Sequence, residues 1–183
     1  MALSPSEREA IARLRVKWQS RTLDDELNWR SDKGQQRLEQ IGLTIPPSLR
    51  KFTVVANWPR VVVDTIVGRQ RVRSLILPGE DTADPRLRAI WDANNMQAHL
   101  KMFLRDRCVY GRAFLSAGTN EQSRDLPMIR VESPRQIEAD VDVRREVITA
   151  AARFYGEEAP GKPALATLYL PEGTVWARLD PGG

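Results

Sequence analysis

The sequence predicts an α+β fold in which N-terminal amphipathic helices precede a helix pair and an antiparallel β-sheet. Three observations carry that expectation. Helix starts of the cap-plus-proline type occur at Ser4-Pro5, Asn57-Trp58-Pro59 and Asp84-Pro85, where a proline in the first turn removes only an N–H that has no intrahelical partner. After Gly111 the apolar period shortens from helical to alternating. From there short apolar runs follow one another between Gly, Pro and Asn turns, a series that suits antiparallel neighbours rather than crossover units.

The first helix opens with Ser4 as cap, Pro5 at its first position and Glu7 to complete a capping box. Ile11, Leu14 and Trp18 share one stripe among arginines and Lys17. A second helical segment is expected from Thr22, with Asp24, Asp25 and Glu26 in its first turn, Leu23 and Leu27 facing inward, and Leu38 and Ile41 resuming the pattern to Gly42. Thr44-Ile45-Pro46-Pro47-Ser48 must be loop, because consecutive prolines remove donors and push the preceding residue to extended geometry.

The anchor of the chain is the stretch from Val54 to Arg69. Asn57 and Pro59 signal a helix start, whereas Val61, Val62, Val63, Thr65, Ile66 and Val67 are β-branched and fit a pleated surface better. Trp58, Val62 and Ile66 fall on one helical face, so the spacing predicts a mostly buried helix from Trp58 to about Arg71, in which Val62→Asp would unfold the chain. Val72 to Leu77 is expected as a strand ended by Pro78-Gly79. Two helices follow, one from Asp84-Pro85 to Asn94 with Leu87, Ile90 and Trp91 on a face. The other runs from Met96 to Tyr110 with Met96, Leu100, Phe103, Leu104 and Cys108 as its stripe and Gly111 as its stop. Strands are then expected at 112–117, 127–132, 136–141, 147–155, 165–170 and 174–179, with a polar loop from Gly156 to Pro163.

Charge is unevenly spread. The chain carries 28 basic and 24 acidic residues, a formal net charge of +4, and the surplus is N-terminal: Met1 to Arg73 holds 14 basic and 8 acidic residues. Such a bias favours acidic surfaces or nucleic acid as partners. Cys108 is the only cysteine, so no intrachain disulfide can form. No run approaches the ~18 apolar residues of a membrane span, and the first residues lack the pattern of a secretory signal. The expectation is therefore a soluble protein without a membrane role.

A search for chemistry finds little to build on. His99 is the single histidine, so a metal site or catalytic triad would rest on it alone, and packing is the expected role. Cys108 lacks a second thiol and sits on an apolar stripe, where a thiol is inert. Asp140 and Asp142 share a strand side but precede Arg144-Arg145 in a hairpin turn, where acidic residues are routine. No phosphate-cradling glycine pattern occurs. Arg69-Gln70-Arg71-Val72-Arg73 is the densest basic cluster, and without interleaved aromatics it suits a solvated or intersubunit face better than a stacking platform. The five tryptophans, Trp18, Trp29, Trp58, Trp91 and Trp176, are expected mainly in the core. No catalytic, cofactor-binding or metal-ligating residue is assigned, and no enzymatic activity is expected.

Gly34-Gln35-Gln36-Arg37-Leu38, Ile45-Pro46-Pro47-Ser48-Leu49-Arg50, and Asn57-Trp58-Pro59-Arg60-Val61-Val62-Val63-Asp64 with Arg69 occur in that order. So do Arg130-Val131-Glu132-Ser133-Pro134-Arg135-Gln136, Asp140 and Arg153-Phe154-Tyr155. In content and spacing these blocks resemble the N-terminal part of portal proteins of siphophage-type tailed bacteriophages. The resemblance implies a structural virion protein: one subunit of a ring, typically of twelve, at a capsid vertex through which DNA is packaged and ejected. It further implies terminase, scaffold or capsid, and head-completion proteins as partners, no cofactor, and residence in the virion after assembly in the host cytoplasm. A helical arm over 1–53 and a wing-like α+β domain over 54–183 are expected, incomplete at the C-terminus and truncated before the stem and clip. The alternative function is a basic nucleic-acid-binding accessory protein.

Overall fold

The computed structural model describes residues 3–35, 57–121, 123, 125–159 and 162–179. The expected helical continuation to Gly42, the proline loop at 44–48, the middle of the Gly156–Pro163 loop and the last four residues lie outside them. Among the described residues there are ten elements: α1 (Pro5–Lys33), α2 (Trp58–Arg69), α3 (Pro85–Ala93), α4 (Met96–Tyr110), β1 (Phe114–Gly118), β2 (Met128–Glu132), β3 (Ile137–Asp142), β4 (Val147–Ala159), β5 (Lys162–Leu170) and β6 (Gly173–Arg178). The α+β class expected from the sequence is the one observed. The elements fall into two compact units, Met1–Asp25 with Glu132–Gly183, and Glu26–Val131.

The first unit is a helix laid on a sheet. β3, β4, β5 and β6 form a four-stranded antiparallel meander. Because side chains alternate across a strand, Ala150, Ala152 and Phe154 of β4 emerge on one face with Ala166 and Leu168 of β5 and Ala177 of β6. Ala10, Ile11, Leu14 and Trp18 of α1 close that face. The alanines bring the helix close to the sheet, and Trp18 meets Phe154 at 5.2 Å between ring centroids. The Trp18 indole donates to the Arg135 carbonyl at 2.8 Å, so this buried ring leaves no polar atom unmatched. Residues 3–25, within the stretch expected to be an arm, thus share a core with the C-terminal sheet.

α1 starts as expected: Ser4 Oγ accepts from the Glu7 amide, and Glu7 accepts from the Ser4 amide at 2.6 Å. It does not restart at Thr22. The Thr22 hydroxyl donates back to the Trp18 carbonyl, and Ser20 does the same to Lys17, so both hydroxyls serve a continuing helix rather than cap a new one. Leu23 and Leu27 are exposed, while Asp25 and Asp32 are buried, the reverse of the expected facing. The helix ends in a Schellman motif, with Gly34 at φ 69°, its amide donating to Ser31 and the Gln35 amide donating to Arg30.

In the second unit α2 and α3 both pack against α4. α2 begins at the expected cap and ends two residues early, where Gln70 turns extended. Its burial contradicts the sequence reading: Val67 alone is buried. α3 starts on Asp84, whose carboxylate accepts from the Arg86 and Leu87 amides, and α4 stops on Gly111 at φ 71°, both as expected. Val72–Leu77 is not a strand. A single bridge joins Ile76 to Ala83, with the Asp84 amide donating to the Leu75 carbonyl, and no strand among the described residues offers the run a continuous ladder. β1 and β2 form a separate two-stranded sheet, and β4 and β5 pair on to Ala159 and Lys162 through the region expected as loop. Backbone pairing there is indifferent to the polar side chains that suggested a loop.

Candidate functional site

Three features stand out: two polar junctions that hold elements together, and one open surface. The first junction lies where α1 ends and α2 begins. Asn57 Oδ1 accepts from the Arg60 amide at 3.2 Å, and its Nδ2 donates to the Asp32 carbonyl at 2.8 Å. Gly34 lies against it, and a Cβ at that glycine would sit 3.1 Å from Asn57 Nδ2. From α4, Arg105 donates to the Asp32 carboxylate at 2.5 Å and to the Asp64 carboxylate of α2. The Arg105 hydrogen bond outweighs burial and holds Asp64 below the usual carboxylate range. Next to it, half-buried Asp106 is pushed up to about 6, by burial first and by the Asp32 charge, with Arg105 opposing. Sequence reasoning missed Arg105, Asp32 and Asp106, because nothing local marks charges brought together from three helices.

The second junction uses the later block of the resemblance. Buried Glu132 pairs with Arg153 at 3.1 Å, and the same guanidinium donates to Gln136 Oε1 and lies over the Tyr155 ring. Ser133 accepts from the Gln136 amide to close a turn, and the Gln136 carbonyl accepts from the Phe154 amide at 2.7 Å. On β3, buried Glu138 lies 3.7 Å from Lys17 and 3.4 Å from Arg21. The described residues of this later block thus hold backbone turns and ion pairs.

The residues weighed for chemistry are dispersed or already engaged. Asp140 is paired to Arg13 at 2.8 Å and to Lys17, and Asp142 accepts from the Arg144 and Arg145 amides in the hairpin turn. The two aspartates keep the strand alternation, since the register shift beside them places its extra residue, Thr149, in β4, but each is already engaged by its own basic or backbone partners. Among the described residues, no group of three histidine, cysteine or acidic side chains could hold a metal. His99 is half-buried and lines a concavity of about 700 Å³ with Asn94, Asn95, Met102 and Asn120. Cys108 is exposed, not part of a buried stripe. Of the five tryptophans only Trp18 is buried, and Trp58 and Trp176 are more than two-thirds exposed, which overturns the expectation that they fill the core.

The open surface is the outer face of α2. Trp58, Val61, Val62 and Ile66 recur at helical spacing and are exposed by 70, 53, 55 and 43%. The helix turns this face outward because Arg105 holds Asp64 on the opposite side, where Val67 is buried. Arg69 continues the apolar stripe, and Arg71 and Arg73 follow it; all three are exposed and have no ion-pair partner among the described residues. The sequence placed the stripe correctly and its direction wrongly.

Comparison with known proteins bears on these features. A family model described as phage portal protein, SPP1 Gp6-like, matches residues 18–182. The portal protein of Mycobacterium phage L5 is 32% identical over 153 residues, which are 80% of this chain and 32% of that protein. The portal protein of Mycobacterium phage D29 is 31% identical over 168 residues, 86% of this chain and 35% of that protein. The chain spans about a third of the length of these curated relatives.

Proposed function

Because the chain belongs to the SPP1 Gp6-like family of phage portal proteins, we propose that it is a structural, non-enzymatic component of a phage or prophage portal. In this reading it contributes the wing-like portion of a ring, typically of twelve subunits, at a capsid vertex through which DNA is packaged and ejected. The observation that supports it most directly is the use made of the family-like motifs. Asn57, Glu132, Gln136, Asp140 and Arg153 are all engaged in turns and ion pairs that hold the fold. Residues spent on rigidity suit a subunit that must keep its shape under load. Its partners are further copies of itself, terminase, scaffold or capsid, and head-completion proteins. Its location is the virion, reached after assembly in the host cytoplasm. No helix among the described residues is long and apolar enough to cross a membrane.

Sedimentation and negative-stain electron microscopy of the chain, alone and with the scaffold and the remaining portal sequence supplied, test the reading. Ring-shaped particles are expected. Monomers alone at every concentration, with scaffold present, would overturn it. The accessory nucleic-acid-binding reading draws on the exposed Arg69, Arg71 and Arg73, and it requires DNA affinity that falls steeply with salt through counterion release.

A further inference from the structure

The outward face of α2 is the more apolar side of a surface helix, which reverses the usual arrangement. Trp58, Val61, Val62 and Ile66 face away from α4, whereas the side turned toward it carries Asp64 and Val67. Burial of apolar surface is the main favourable term in association, and an exposed contiguous apolar stripe marks a contact surface. Charge identifies what covers it. At the C-terminal end of the stripe stand Arg69, Arg71 and Arg73, exposed and without a carboxylate partner among the described residues. The other charged side chains of this helix are spoken for, since Arg60 lies 3.5 Å from Asp64 and Asp64 also accepts from Arg105.

We propose that this face of α2 docks an acidic amphipathic polypeptide segment of a partner protein, one whose apolar side chains cover the stripe and whose carboxylates follow to meet the three arginines. The guanidinium fork forms charge-assisted, often bidentate hydrogen bonds with carboxylates, while branched aliphatic side chains suit a protein partner. Nucleic acid fits less well: it would match the arginines but leave the aliphatic stripe uncovered, with Trp58 as its one aromatic ring. The inference does not depend on ring formation, because it needs only the exposure and charge of α2.

Fluorescence anisotropy with the full chain tests it. The probe is a labelled synthetic peptide with leucines at helical spacing followed by three glutamates. The controls are the same peptide with lysines for glutamates, a labelled single strand and a labelled DNA duplex. Saturable binding of the glutamate peptide is expected, weakened roughly tenfold or more by Val62→Asp and by the triple change Arg69→Glu, Arg71→Glu, Arg73→Glu. Circular dichroism and urea unfolding on both variants show that they remain folded, as the exposure of these positions requires. Three results overturn the proposal: no binding of the glutamate peptide; equal binding by Val62→Asp; or tighter, steeply salt-dependent binding of DNA. Self-association of the wild-type chain that Val62→Asp abolishes while the peptide fails to bind assigns the face to a second copy instead. Rings in the microscope with no peptide binding would remove this inference and leave the portal reading standing.

Discussion

Asn57 donates its side-chain amide to the backbone carbonyl of Asp32 at 2.8 Å, and so ties the last turn of α1 to the first residue before α2. One side chain thereby completes two helix ends, because its oxygen also caps α2 through the Arg60 amide. Asn57→Ala removes the cap and leaves the Asp32 carbonyl short of a donor. A loss of about 2 kcal/mol is expected. Asn57→Ser keeps the cap and should recover about half of it. Urea unfolding of the three chains provides the comparison, and equal stability of Asn57→Ala and wild type would show that the junction contributes nothing.

Gly34 is required on two grounds. Its φ of 69° is strained for a side chain, and a Cβ would stand 3.1 Å from Asn57 Nδ2. Gly34→Ala should therefore cost about 1–2 kcal/mol. In the Asn57→Ala background the steric part disappears while the backbone part remains, so a double-mutant cycle separates the two.

The core of the first unit and the surface of α2 should respond oppositely to substitution. Leu14 is fully buried between α1 and the sheet, and Leu14→Ala is expected to lose about 2–5 kcal/mol. Val62 is 55% exposed, and Val62→Asp should change stability by no more than about 0.5 kcal/mol. Thermal unfolding followed by circular dichroism distinguishes them. An unfolded Val62→Asp chain would restore the buried face that the sequence suggested.

Asp106 gives stability a pH dependence of defined sign. Its folded value is raised to about 6 from 3.8, so between those values the folded state holds a proton that the unfolded chain has released. Stability should therefore fall as pH rises from about 4 to about 6 and be level above that. Discounted for the solvent that reaches this half-buried group, the change is on the order of 1 kcal/mol. Asp106→Asn should abolish that slope and stabilise the protein at neutral pH. Urea midpoints across the range measure it, and an unchanged slope in Asp106→Asn would assign the titration to another group.

Much of the architecture was legible because it is written in short-range signals. Ser4 with Glu7, Asn57 with Pro59, Asp84 with Pro85, and Gly111 each specify a helix end through atoms within a few residues. Strand alternation located the antiparallel series, since the period of two is a local property of extended backbone. The blocks around Asn57 and Glu132 also pointed to the family before any geometry was known.

What only the tertiary structure decided is the use of each face and the fate of ambiguous segments. Thr22 became a mid-helix residue of α1, a helix seated on the sheet through Leu14 and Trp18, and its hydroxyl donates to the Trp18 carbonyl. Val72 to Leu77 found no partner strand among the described residues and stayed out of the sheets. The apolar stripe of α2 turned outward while Val67 packed inward and Arg105 of α4 paired with Asp64 and Asp32. Helix periodicity specifies which residues share a face. It carries no information about which way that face points, because direction is set by contacts between side chains that the chain brings together only on folding.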